Sequence, residues 1–175
     1  MLEYLVVLAD TGMRRGELEG ITARALMRPT VITLGARAVK NGETVYDGRS
    51  VPLSARAAEI IQRRVEKLDK DDRDSPLFTQ KPSWYRGRWD RLKADLDLPE
   101  IAVMHIYRHT FATRMALTGK VTIYDIKEAL GHKTLEATQR YAKLCLEAQM
   151  RATKTYFESD FYHPLSHLPA IPKSA

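Results

Sequence analysis

The sequence has one cysteine, Cys145, in 175 residues. A lone thiol cannot close a disulfide within the chain or build a cysteine metal cluster, and it suits a reducing, cytosolic setting. No apolar run reaches the roughly 18 residues that a membrane span requires. The opening stretch MLEYLVVLADTG is apolar but carries Glu3 and lacks a basic leader, so it does not read as a secretory signal. No internal repeat is visible, and the polar residues include neither a catalytic carboxylate pair nor a metal-ligand spacing.

What is present is an ordinary globular composition, 44% apolar and 29% charged, of a length that suits one domain with a substantial core. The net charge of +6 and a pI near 9.5 favour a polyanionic partner without establishing one.

Hydrophobic periodicity predicts a buried helix over 2–10 that stops at Gly12, and a short helix in RRGELEGI ending near Gly20. The first helix begins without a cap, so a further N-terminal domain is expected ahead of Met1. Between 25 and 53 the pattern turns β-branched. TVITLGARAVK and TVYDGRSVPL flank Asn41-Gly42, which is a hairpin signal, and a shorter strand is expected near 25–28. Ser54 is the expected N-cap of a helix with Ala58, Ile61, Val65 and Leu68 on one face. A charged loop (69–76) leads to a helix in SWYRGRWDRLKADLDL, read as basic on one side. A helix over about 105–118 ends at Gly119. The next starts with a capping box, Thr122 and Asp125, and stops at Gly131. TLEATQRYAKLCLEAQMRATKTYF reads as one long final helix, followed by an irregular proline-containing tail. The fold class is therefore mainly α with a small antiparallel β-sheet (α+β).

Chemistry is to be sought at the punctuation points. Arg14 follows the Gly12 break, with Glu17 one turn on. Lys40 lies at the hairpin turn. His105 and Arg108 are helical neighbours at i, i+3. His132 follows a helix-stopping glycine, and Tyr141 lies nine residues beyond it. Taken singly each has a plain structural reading: a helical ion pair, an exposed lysine, a solvated face, a cap, a core tyrosine. His109 reads as structural, a partner for a backbone carbonyl. Taken together they form an inventory for phosphate chemistry. Arginine forks match phosphate oxygens. A lysine can protonate a leaving oxygen, and a tyrosine can attack phosphorus and hold it covalently. Arginines can also stabilise the transition-state charge that a water-using nuclease would meet with a metal ion.

In these residues the sequence resembles the tyrosine recombinases, the phage-integrase family, over roughly residues 5–145. TGMRRGEL is similar to the family's first arginine motif (Arg14, with Glu17 in support). HIYRHTFAT resembles the His-x-x-Arg box (His105, Arg108), and LGHKTLEATQRY the segment that ends in the nucleophile (His132, Tyr141). VKNGETVYDGRSVPL resembles the β-hairpin lysine region (Lys40). Three features depart from the usual pattern. Tyr107 replaces an aliphatic residue and is expected still to pack inward, the hairpin is a few residues longer, and the helical N-terminal core-binding domain that completes a DNA clamp is absent from this chain.

The resemblance implies the following. Tyr141 attacks a phosphodiester of double-stranded DNA, giving a 3′-phosphotyrosine and a free 5′-hydroxyl, and a partner strand's 5′-hydroxyl reverses the step. Arg14, Arg108 and His132 hold the non-bridging oxygens, Lys40 is the general acid, His105 takes the tyrosine proton, and Glu17 positions Arg14. No cofactor, metal or ATP is needed. Arg86, Arg88, Arg91, Lys93, Lys133 and Arg140 contact the DNA backbone. Residues 1–145 form the catalytic domain. Residues 146–175 form a tail that packs into another protomer, folds back on its own domain or is disordered. Partners are DNA and further copies of the chain in a tetrameric synapse, the isolated domain being monomeric. The setting is the cytoplasm of a bacterium, and the role is integration or excision of a mobile element. The rival readings are a type IB topoisomerase and a catalytically silent DNA-binding module.

Overall fold

The computed structural model describes residues 1–35, 49–69 and 71–159. The expected Asn41-Gly42 turn, Lys40 and the proline-containing tail from 160 lie outside the described residues.

Helix α1, Leu2–Thr11, buries Tyr4, Val7, Leu8 and Thr11, the i, i+3, i+4 stripe of a helix laid on a core. It ends as predicted. Gly12 takes the left-handed conformation (φ 61°) and its N–H bonds the Leu8 carbonyl at 3.1 Å. A side chain at Gly12 would have its Cβ 2.5 Å from the Phe111 ring, so close approach as well as φ demands glycine. Helix α2, Arg15–Glu19, is one short turn more.

Three strands follow, β1 (Leu26–Arg28), β2 (Val31–Leu34) and β3 (Arg49–Pro52), in an antiparallel sheet of order β1-β2-β3. Ile32 pairs with Val51 and both are buried, which fixes the register by turning one face to the core. Ser54 caps α3, Ala55–Glu66, by accepting the Ala57 N–H at 3.2 Å. Ala58 and Ile61 are buried, and Val65 and Leu68 pack against the same core. Helix α4, Pro82–Asp95, opens on proline. Its Tyr85 stacks on Tyr4 (centroids 3.9 Å apart), and Trp89 donates to the Ala102 carbonyl at 3.0 Å.

Helix α5, Ile106–Leu117, packs against α1 and, on its other side, against α6 (Ile123–Leu130) and α7 (Ala142–Phe157). The Thr122–Asp125 capping box starts α6, and left-handed Gly131 (φ 63°) stops it. Two cores result. The larger joins α1, α3, α4 and the sheet; the smaller joins α5, α6 and α7 through Ala112, Ala116, Ile126, Leu130, Tyr141 and Cys145. Tyr107 packs inward on the larger core, edge-on to Trp89.

Two expectations need correction. The long final helix is two elements: a 3-10 turn over Glu136–Tyr141, then α7. The break puts Tyr141 at the N-cap of α7, with its side chain in the small core rather than along a helix face. Nor is α4 basic on one side. At about 100° per residue, Arg86 and Lys93 share one face, whereas Arg88 and Arg91 lie on the opposite one.

Candidate active site

The site lies on the seam between the two cores. Arg108, on the first turn of α5, is 3% exposed. Its Nη1 donates to the Gly12 carbonyl at 2.7 Å and its Nη2 to the Leu130 carbonyl at 2.5 Å. One guanidinium thus satisfies the carbonyl ends of α1 and α6, which would otherwise be unpaired. Burial, with Arg14 and Arg49 nearby, pushes its pKa down to about 10, so it stays a cation at neutral pH.

Arg14 approaches from the other side. Glu17 accepts its backbone N–H (2.7 Å) and its Nη1 (2.9 Å), and Arg14 Nη2 reaches the Gly131 carbonyl at 3.3 Å. The two arginines therefore bond consecutive carbonyls, 130 and 131, and His132 is the next residue. Arg14 keeps 46% of its side chain exposed, which leaves it able to reach a ligand.

His132 shares a hydrogen bond of 2.7 Å between its Nδ1 and Oγ1 of Thr138, which is fully buried. Partial burial and the charges of Arg108, Arg14, Arg140 and Arg49 push its pKa down to about 4. It is neutral at pH 7, and the bond to Thr138 engages only Nδ1.

Tyr141 is 4% exposed, and its hydroxyl lies 2.7 Å from Nδ1 of His109. Burial raises the phenol pKa, and Arg140 and Arg108 oppose that rise. His105, expected as the partner of this hydroxyl, makes no hydrogen bond to it among the described residues. It sits at the N-cap of α5, exposed, with its ring edge-on to His109 at 4.8 Å. His109 is the residue that the sequence reading missed, having been assigned to a backbone carbonyl. A signal was available, because positions 105 and 109 are one helical turn apart. Desolvation, His109, Arg108, Arg14 and Arg140 all lower the pKa of His105, so it too is neutral at pH 7.

Arg49, at the start of β3, was also missed. Its Nη2 donates to Glu17 at 2.8 Å and its Nη1 to the Ala129 carbonyl. Burial alone would raise the Glu17 pKa. The Arg14 backbone N–H and the charges of Arg49 and Arg14 outweigh burial and hold it below the ordinary carboxylate value. Gly131 is required here as well: a Cβ would lie 2.6 Å from the Arg49 side chain.

Of the proposed backbone contacts, Arg86 and Lys93 line a cavity of about 420 Å³ together with Arg15, Trp89 and His105, next to the site. Arg88 lies over the Trp84 ring (5.3 Å), away from it. Arg91 and Lys133 are exposed. Arg140 reaches His109, 3.5 Å from Nε2. Among the described residues no group of three His, Cys, Asp or Glu side chains could hold a metal ion, and no helix is long and apolar enough to cross a membrane.

A mainly helical domain with a three-stranded antiparallel sheet, among the described residues, thus gathers two clasped arginines, two neutral histidines and a buried tyrosine on one seam. The chain belongs to the phage integrase family, whose model matches residues 2–147. It is 30% identical over 150 residues to the tyrosine recombinase XerC of Rickettsia bellii (strain RML369-C), covering 82% of this chain and 47% of that protein. It is 30% identical over 132 residues to the integrase of Haemophilus phage HP1, covering 75% of this chain and 34% of the other. Among solved structures it superposes on the catalytic domain of bacteriophage HP1 integrase with a TM-score of 0.60 at 27% identity, covering 92% of this chain and 84% of that one. The Tn1549 transposon integrase in complex with circular intermediate DNA gives a TM-score of 0.67 at 22% identity, covering 86% and 59%, a likeness of fold. The chain spans about half or less of the length of these curated relatives.

Proposed function

We propose that this chain is the catalytic domain of a site-specific DNA recombinase, acting as an integrase of a mobile element. The observation that carries the reading is the convergence of Arg14, Arg108 and His132 on the Leu130–His132 turn, with the buried Tyr141 hydroxyl beside it.

The phenol oxygen of Tyr141 attacks a DNA phosphorus. A bond from Oη to phosphorus forms and the bond to the 5′ oxygen breaks. Arg14 and Arg108 hold the non-bridging oxygens, and neutral His132 adds a hydrogen bond from Nε2. The phenol proton passes to neutral His105. Lys40 delivers a proton to the departing 5′ oxygen. The partner strand's 5′-hydroxyl reverses the step, so bond energy is conserved without ATP. Arg15, Arg86 and Lys93 hold the backbone beside the cavity, giving a salt-dependent affinity. Other protomers assemble on the same DNA in the bacterial cytoplasm.

The test is a pool of nicked duplexes that lets the released end diffuse away, followed by denaturing electrophoresis. A covalent protein–DNA band, indifferent to chelator and abolished in Tyr141→Phe while DNA binding persists, is expected. A Phe variant that still forms adducts would remove the nucleophile assignment. Bound DNA with no adduct would favour a silent binding module.

A further inference from the structure

The described contacts of Tyr141 go to an imidazole that the motif pattern leaves unassigned. His109 Nδ1 lies 2.7 Å from the phenol oxygen. The other ring nitrogen, Nε2, faces Arg140 Nη1 at 3.5 Å, the outer edge of a hydrogen bond. A guanidinium only donates, and a neutral imidazole has one donor and one acceptor. With Arg140 at Nε2, the lone pair belongs there and the proton on Nδ1, facing Tyr141. The ring is neutral at pH 7, because its partial burial, Arg140 and Arg108 all lower its pKa.

We propose that His109 is a further catalytic residue, donating its Nδ1–H to the Tyr141 oxygen in a tautomer set by Arg140, which acts as a positioning residue. The inference rests on Tyr141 being the nucleophile. On cleavage the phenol proton leaves for His105, while the His109 proton stays on Nδ1 and stabilises the phenolate. On religation the bond from phosphorus to Oη breaks, and the same N–H meets the departing phenolate. A general base at His109 would need Nδ1 bare, which the cation at Nε2 opposes. Arg140 and Tyr141 are adjacent in sequence, so one segment supplies both the nucleophile and the group that fixes its partner's tautomer.

Two measurements on the whole chain decide it. The first, long-range proton–nitrogen NMR of the imidazoles with His109→Asn as the assignment control, needs no DNA. His109 protonated at Nδ1 is expected, shifting toward Nε2 in Arg140→Ala; a wild-type ring protonated at Nε2 overturns the proposal. The second is single-turnover adduct formation on nicked duplexes recovered with the wild-type protein. Asn places an amide donor where Nδ1 was, and Gln places one where Nε2 was. His109→Asn is expected within about tenfold of wild type, and His109→Gln and His109→Ala are expected to lose about 100-fold, the usual effect of removing one oxyanion donor. Asn as slow as Gln refutes the donor role even if the Ala variant fails to fold. A wild-type protein that forms no Tyr141-dependent adduct refutes the recombinase reading instead, and the tautomer measurement still stands.

Discussion

Replacing Arg49 with methionine tests whether the sheet is tied to the pocket through one ion pair. Arg49 is 12% exposed and Glu17 23% exposed, so the 2.8 Å contact is largely shielded from water. Methionine keeps much of the aliphatic stem but removes the donor to Glu17 and the partner of the Ala129 carbonyl. A charged hydrogen bond contributes about 1.5–3 kcal/mol and an orphaned carbonyl about 1 kcal/mol more, which gives a loss near 3 kcal/mol. For a domain of this size the loss corresponds to a Tm lower by about 6–12 °C. The pH dependence gives a second reading. The Glu17 pKa in the folded protein lies below the ordinary glutamate value of 4.5, so its contribution is complete above that pH and fades as pH falls through the folded value. Without Arg49 the folded pKa moves back up, because Arg14 alone remains. The stability gap between wild type and Arg49→Met should therefore be widest above about pH 4.5 and narrow in acid. Urea unfolding at several pH values measures both. A loss under about 0.5 kcal/mol, or a gap that does not change with pH, would show that the pair behaves as an ordinary surface bridge.

Several other outcomes follow from the same geometry. The His132 imidazole should remain neutral well below 6.5, the ordinary histidine value, down toward about 4, as read by NMR titration; a midpoint near 6.5 would show that the arginines do not reach it. Thr138→Val removes the hydroxyl that fixes His132 and should slow adduct formation about tenfold, with a stability loss of about 1 kcal/mol. Gly131→Ala meets both a left-handed backbone and the Arg49 side chain, and should cost at least about 1–2 kcal/mol in thermal unfolding. Arg86→Ala and Lys93→Ala should each lower the salt slope of DNA binding by about one, whereas Arg88→Ala should leave it nearly unchanged.

Much of this architecture is readable from local chemistry. Gly12, Ser54, Thr122 with Asp125, and Gly131 each satisfy backbone groups within a few residues of themselves, so the sequence carries the information at the place where it acts. The side chains that line the pocket are legible for a related reason, since each sits beside a helix boundary. Arg49 was not legible as a site residue because its partner Glu17 is 32 positions away; helical spacing from His105 could have placed His109 near the site, but not its pairing with Tyr141, 32 positions on. Whether those groups meet depends on how β3 approaches α2 and how the 3-10 turn approaches α5. The two faces of α4 could have been read from helical phase alone. The break before α7 could not, because its residues are no worse for a helix than their neighbours, and the contact of Tyr141 with α5 decides it.

The clasping role of the arginines limits what mutagenesis can separate. Arg108 is at once a proposed phosphate ligand and the bond between the Gly12 and Leu130 carbonyls. Removing it leaves two buried acceptors unpaired, at a cost of about 2–4 kcal/mol, so lost activity in Arg108→Ala reports on the fold as much as on chemistry. Arg14 is the cleaner probe, since it is half exposed and Glu17 retains Arg49. Comparing the two makes the distinction measurable. If both variants lose cleavage but only Arg108→Ala loses thermal stability, catalysis and clasping are separate tasks of one pocket. If Arg14→Ala is equally unstable, the pocket is a folding nucleus between the cores first, and its affinity for an anion follows from that.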